Sequence, residues 1–288
     1  MDKHYAFAGV EITVSIPDQW MYEDERQLAP FRVAQVNDPH LFRFELVNSF
    51  PPPGGTMEAL LQHTRVYSEN ANYVRYIGSV TDGWEKAYIR AEYGQKKHCV
   101  QVRANETLQH IAVKTVLNSL GVEHLVAGNG GFVFHCAYID WNGAAVLFTA
   151  PSGTGKSTQA ELWHTYRDAE IINGDRAAVR IKDGLLAADG IPFSGSSSYC
   201  KNRTLPIAAI VYLSQAPETT IRKLRGAEAF SRLWEGVSVN TWNKTDMEHV
   251  SNVVQKAAIE LPVYHLACTP DETAVTILEE ALRKQGLV

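Results

Sequence analysis

The sequence predicts an α+β/α/β chain: a mainly β amino-terminal domain over residues 1–104, a connecting helix over 105–127, and an α/β domain over 128–288. Three observations carry this prediction. Short apolar–polar alternations fill the first third, a helical apolar period follows, and beyond it strand-like runs alternate with helical ones around a glycine-rich turn.

In the first part, Val10-Glu11-Ile12-Thr13-Val14 and Tyr88-Ile89-Arg90-Ala91-Glu92-Tyr93 alternate with the period of half-buried strands. Pro51-Pro52-Pro53-Gly54-Gly55 interrupts them and reads as an exposed loop, with a proline-recognition ligand as the other reading. Leu108, Ile111, Ala112, Val116, Leu117 and Leu120 then fall at helical spacing. At the carboxyl end, helical patterns over 246–260 and 271–284 enclose a strand-like run over 262–266. Pro270 suits the first turn of the last helix, where its missing N–H costs little.

Composition is that of an ordinary globular chain, with 45% hydrophobic and 20% charged residues. A net charge of -5 offers no cationic excess for a polyanion, so no nucleic-acid partner is expected. No apolar stretch approaches the roughly 18 to 20 residues of a membrane span, so no membrane partner is expected either. Cys99, Cys136, Cys200 and Cys268 show no C-x-x-C spacing, and the chain opens on Met1-Asp2-Lys3-His4 rather than a signal sequence. A cytoplasmic location is expected.

Residues 132–139 and 144–149 read as two strands joined by Asp140-Trp141-Asn142-Gly143, and Asn-Gly is a strong hairpin signal because both residues tolerate positive φ. Counting outward from a two-residue turn pairs Trp141 with Ala144, Ile139 with Val146 and Ala137 with Phe148, and brings His135 opposite Ala150. There the second strand runs into Ala150-Pro151-Ser152-Gly153-Thr154-Gly155-Lys156-Ser157-Thr158. This matches G-x-x-x-x-G-K-[ST] except that Ala150 replaces the first glycine, a position alanine holds if its φ is negative. Ser152, Gly153, Thr154, Gly155, Lys156, Ser157 and Thr158 are therefore the candidate nucleotide-binding residues. Backbone N–H groups and the following helix would cradle phosphates, Lys156 would neutralise them, and Ser157 would offer its hydroxyl to Mg²⁺. A glycine-rich turn capping a helix is the alternative.

Residues 170–175 read as a short strand ending in Asp175, about twenty residues beyond the loop, so that both strand ends open on one side of the sheet. Asp175 is the candidate to hold Mg²⁺, to accept the proton of an attacking hydroxyl, or both. A turn aspartate in Asn173-Gly174-Asp175-Arg176 is the alternative.

The order His135, Asn-Gly hairpin, Pro151-Ser152-Gly153-Thr154-Gly155-Lys156-Ser157-Thr158 and Asp175 resembles the HPr kinase and phosphoenolpyruvate carboxykinase superfamily over about residues 131–213. The resemblance implies an HPr kinase-like P-loop domain with a mixed sheet flanked by helices, ATP or GTP and Mg as cofactors, and three catalytic residues. Asp175 would activate the acceptor hydroxyl, His135 would favour its ionised form, and Lys156 would hold the phosphates. Residues 194–198 followed by Lys201, Asn202 and Arg203 resemble the family's acceptor-side loop. That gives Ser196, Lys201 and Arg203 as acceptor-side candidates, against a plain serine-rich surface loop.

The departures are Arg176, where HPr kinases carry a second aspartate, and the absence of the family's glycine-rich signature after that strand. HPr itself is thus not the expected acceptor. The expected activity is ATP-dependent phosphorylation of a hydroxyl on a small molecule, a peptide or a protein serine, with assembly into a homo-oligomer left open. A nucleotide sensor without transfer and a carboxykinase-like enzyme are the rivals. His98-Cys99, His135-Cys136 and His265-x-x-Cys268 are too scattered for a zinc ligand set, and Trp234 and Trp242 take no role.

Overall fold

A computed structural model describes residues 2–17, 27–69, 72–78, 83–103, 113–195 and 197–286. The chain divides into two compact units, residues 1–121 and 122–288.

Among its described residues the first unit holds one nine-stranded sheet: β1 (Asp2–Phe7), β2 (Val10–Ser15), β3 (Arg32–Val33), β4 (His40–Val47), β5 (Thr56–Leu61), β6 (Thr64–Glu69), β7 (Asn72–Gly78), β8 (Ala87–Tyr93) and β9 (Lys97–Arg103), in the order β3-β1-β2-β4-β9-β8-β7-β6-β5. Alternation sets the buried face, as Tyr5 and Phe7 in β1 and Val100 and Val102 in β9 show. The pairings of β4 with β2 and β9 are parallel and the rest antiparallel. The Pro51–Gly55 stretch lies outside the strands and is pinned where Tyr76 Oη donates to the Pro51 carbonyl, 2.8 Å.

The single helix expected over 105–127 is two, α1 (Val113–Leu120) and α2 (Val122–Gly128). Gly121, at φ 60°, stops the first, since this left-handed conformation ends an α-helix and strains any residue with a Cβ. Leu108, Ile111 and Ala112 lie outside the described residues. Tyr93 donates its hydroxyl to the Ser119 carbonyl, 2.8 Å, tying α1 to β8.

The second unit continues with β10 (Gly131–Trp141), β11 (Ala144–Thr149), α3 (Lys156–Arg167), β12 (Glu170–Asn173), β13 (Arg176–Lys182), β14 (Leu185–Gly190), β15 (Thr204–Gln215), β16 (Thr220–Leu224), α4 (Gly226–Trp234), β17 (Val237–Ser238), α5 (Lys244–Glu260), β18 (Val263–Cys268) and α6 (Glu272–Arg283). It is a mixed-sheet α/β unit. The long strands β10 and β15 are shared between two sets of pairings. One runs β12-β10-β11-β15-β18-β16, with β11, β15 and β18 parallel, and the other joins β10, β13, β14 and β15 antiparallel.

Side-chain alternation sorts β10, β11 and β15 into two cores. Phe134, Cys136, Tyr138, Leu147 and Ile210 face α4 and α5, whose Leu233, Val250 and Val254 close that layer. Ala137, Ile139, Phe148 and Val211 face α3 and α6, which contribute Ala160, Trp163, Val275 and Leu278. Apolar faces on both sides require helices on both sides. Pro270 stands one residue before the cap of α6 rather than in its first turn. Asp271 is the cap, its carboxylate accepting from the Thr273 N–H at 2.9 Å.

Candidate active site

β10 is the strand that assembles the site. Asn142 and Gly143 turn the hairpin at φ 53° and 82°, and a two-residue turn of that kind fixes the ladder Trp141↔Ala144, Ile139↔Val146, Ala137↔Phe148, ending at Cys136↔Thr149. On its other edge β10 pairs with β12, Tyr138 opposite Asn173, and with β13, His135 opposite Arg176. The chain leaving β11 and the chain leaving β12 therefore both emerge beside His135 and Cys136. The ladder with β11 stops one pair short of the expected His135 and Ala150; the His135 N–H donates instead to the Gly236 carbonyl at 2.7 Å, and its own carbonyl accepts from Thr149 Oγ1 at 3.1 Å.

From Ala150 the loop turns into α3. Gly153 and Gly155 take φ 77° and 118°, conformations that favour glycine, while Ala150 is buried and is not among the positive-φ residues. Lys156 opens α3 and is buried, its ammonium donating back to the Ala150 carbonyl at 3.0 Å and reaching the Pro151 carbonyl at 3.5 Å. Burial pushes the Lys156 pKa down, against the opposing pull of Asp175. Ser157 Oγ donates to the Gly174 carbonyl, 3.1 Å, joining the loop to the turn after β12.

Asp175 does not end β12, which stops at Asn173; it lies in the turn before β13. Asn173 makes that turn. Fully buried, it accepts at Oδ1 from the N–H groups of Asp175 and Arg176, 2.9 and 3.0 Å, and donates from Nδ2 to the Ile191 and Phe193 carbonyls, 3.2 and 3.0 Å. One side chain thus shapes the Asp175 turn and fastens the loop leading to Ser194. Sequence reasoning missed this role, although Asn before Gly-Asp is the signal of an Asx turn.

Two side chains meet the Asp175 carboxylate. His135 Nε2 lies 3.4 Å from Oδ1, and Arg176 Nε lies 3.3 Å from Oδ2. The imidazole N–H of His135 is the main cause holding the Asp175 carboxyl below the usual range, with Arg176 adding to it and burial opposing. Gly195, at φ 55°, brings a third element in: a Cβ there would stand 2.8 Å from the Asp175 carboxyl carbon. Ser157, Asp175, Ser197, Ser198 and Glu161 line one cavity of about 250 Å³.

The three acceptor-side candidates fare differently. Ser196 lies outside the described residues. Lys201 and Arg203 are not brought to the Asp175 cavity. The segment carrying them runs back along β12, Lys201 N–H donating to the Ile172 carbonyl at 3.1 Å, and each cation meets a carboxylate there. Lys201 pairs with Glu170 at 2.8 Å and Arg203 with Asp140 at 2.9 Å. Ser197 and Ser198 stand in the cavity in their place.

A Mg²⁺ ion needs oxygen donors and few of them from the protein. Ser157 and Asp175 supply a hydroxyl and a carboxylate to the same cavity, a donor set that fits the ion. Among the described residues no group of three His, Cys, Asp or Glu converges on a common point.

The family model described as SynChlorMet cassette protein ScmC matches residues 98–271, more than half of the chain. The chain belongs to this family. The match takes in the whole β10–β13 assembly and its loop. No curated protein matches this family member. Among solved structures, the Hpr(Ser) kinase/phosphatase from Coxiella burnetii is similar at 10% identity and a TM-score of 0.33, over 54% of this chain and 93% of that one. No helix among the described residues is long and apolar enough to cross a membrane.

Proposed function

We propose that this ScmC-family chain is an ATP-dependent kinase that phosphorylates a hydroxyl group of a small molecule, a peptide or a protein serine. The observation that carries the reading is that Ser157 of the phosphate-loop motif and Asp175 line one cavity. A group held at the loop is thereby in reach of a carboxylate kept ionised.

In this reading the loop backbone and Lys156 hold the triphosphate, the ammonium turning from the Ala150 carbonyl to phosphate oxygens. Ser157 and Asp175 would hold Mg²⁺, which neutralises charge developing on the phosphates. Asp175 takes the proton of the acceptor hydroxyl as its oxygen attacks the γ-phosphorus and the bond to ADP breaks. His135 and Arg176 keep Asp175 deprotonated beforehand, and the Ser197 and Ser198 hydroxyls orient the acceptor. A cytoplasmic location belongs to the same reading.

A sensor that binds nucleotide without transfer is favoured by one feature, the Arg176 guanidinium on Asp175 where a second carboxylate would serve a metal. The two are separated by incubating the protein with γ-labelled ATP and a lysate fractionated into metabolites, peptides and proteins, HPr included. A kinase labels one fraction, and Asp175→Asn abolishes that labelling while nucleotide affinity stays within about tenfold, roughly 1.4 kcal/mol. Labelling of nothing, or parental labelling by Asp175→Asn, overturns the proposal.

A further inference from the structure

The cavity that holds Asp175 carries a second carboxylate that proton transfer does not use. Ser157, Ala160 and Glu161 of α3 line it, and their i, i+3, i+4 spacing sets all three on one face of the helix. Glu161 stands one turn, about 5.4 Å, further along α3 than Ser157. Its carboxylate comes beside Tyr199, which lines the same cavity. The Glu161 charge is the largest cause raising the Tyr199 pKa, and burial and a hydrogen bond between the two add to it.

No Lys, Arg or His lines this cavity among the described residues. His135 and Arg176 lie at the Asp175 carboxylate, while Lys201 and Arg203 lie at Glu170 and Asp140. Glu161 therefore brings negative charge that no cation of the lining answers. An acceptor carrying a carboxylate or phosphate would be repelled there, and one carrying an ammonium group attracted. Ser157, Ser197 and Ser198 suit a hydroxyl compound. At about 250 Å³ the cavity is smaller than the roughly 300–1,000 Å³ that hold drug-sized ligands, so the acceptor is small.

Resting on the kinase reading of this cavity, we infer that the acceptor is a small amino alcohol, and that Glu161 selects it by holding its ammonium group while the hydroxyl lies at Asp175. The transfer itself is unaltered. The acceptor oxygen bonds to the γ-phosphorus as the bond to ADP breaks, the hydroxyl proton passes to Asp175, and the ammonium keeps its protons. Glu161 is then a specificity residue, separate from the group that takes the proton.

The test compares ethanolamine, ethylene glycol and glycolate, acceptors of one size that differ in the charge beside the hydroxyl, with γ-labelled ATP and Mg²⁺. In the parent kcat/KM should fall in that order, ethanolamine leading ethylene glycol by about fivefold, and the lead should shrink as salt is raised. Glu161→Gln should remove most of that lead through KM with kcat little moved, and Glu161→Lys should put glycolate first. Peptides with Lys, Gln or Glu beside a serine repeat the comparison. Labelling of the Lys peptide and of none of the small compounds would make the source a peptide and overturn the assignment. If lysate metabolites are labelled and none of the three probes is, the labelled acceptor should be one that a cation exchanger retains near neutral pH, and failure to be retained overturns the inference. A neutral or anionic acceptor favoured by the parent, a lead that survives Glu161→Gln, or a changed Mg²⁺ requirement in place of a changed preference does so too. All of these leave the kinase reading standing, whereas labelling of nothing removes that reading and this inference with it.

Discussion

His135 Nε2 stands 3.4 Å from Oδ1 of Asp175, across a junction where one strand, β10, carries the histidine and the turn after β12 carries the aspartate. Because that imidazole is the largest cause lowering the Asp175 pKa, its removal should let the pKa rise, burial then acting against Arg176 alone. The acidic limb of kcat/KM in His135→Ala should move to higher pH. Turnover at neutral pH should fall on the order of 10- to 100-fold with nucleotide affinity little changed. An unmoved acidic limb would separate the histidine from the carboxylate.

Lys156 donates to two carbonyl groups of its own loop and is desolvated there. Lys156→Met should weaken Mg-ATP by roughly 10- to 100-fold, the worth of a charge-assisted hydrogen bond to phosphate, yet leave the melting temperature equal or higher because a buried ammonium is removed. Calorimetry with a parallel thermal melt reads both. Undiminished affinity would remove the phosphate-loop assignment.

Asn173 satisfies four backbone groups from a fully buried position. Asn173→Ala should cost roughly 2–4 kcal/mol in urea unfolding, since several of those groups lose their partner out of reach of water. Asn173→Asp keeps the acceptor for Asp175 and Arg176 but not the donors, so it should disturb the loop at Ile191 and Phe193 more than the turn. A loss below about 1 kcal/mol for Asn173→Ala would show that water replaces the amide.

His124 on α2 lies 2.8 Å from Oδ1 of the buried Asp246 on α5, which also accepts from Asn240 Nδ2 at 3.2 Å. The hydrogen bond to Asp246 raises the His124 pKa above 6.5, despite burial. The protonated pair therefore contributes stability fully below that value, and the contribution is lost as pH rises through the higher folded value. The melting-temperature difference between parent and His124→Gln should be clear near about pH 5.5 and shrink by about pH 8.5. A difference independent of pH would mean that the pair acts without its charge.

Local chemistry made much of the site legible in the sequence. Asn142-Gly143 sets a two-residue turn, and the turn sets the register that carries Trp141 to Ala144 and Ala137 to Phe148. Gly153 and Gly155 stand at the positive-φ positions of the loop. These follow from backbone sterics within a few residues, so the sequence alone determines them. Gly121 shows the limit of the same reasoning. The apolar period runs past it undisturbed, because periodicity records which face is buried and not whether the helix is continuous.

Only the tertiary structure decided what depends on residues far apart in the chain. Alternation reads the same in parallel and antiparallel strands, so it was silent on the parallel pairings of β4 with β2 and β9. Lys201 and Arg203 have the charge for a phosphoryl site, but charge goes to the nearest available carboxylate, and the path along β12 made those Glu170 and Asp140. The cavity beside Gly153 and Thr154 is lined on its far side by residues at the ends of β15 and β18, more distant still. A single side chain carries no mark of the neighbours that folding will give it, and for Lys201 and Arg203 those neighbours are the whole of the chemistry.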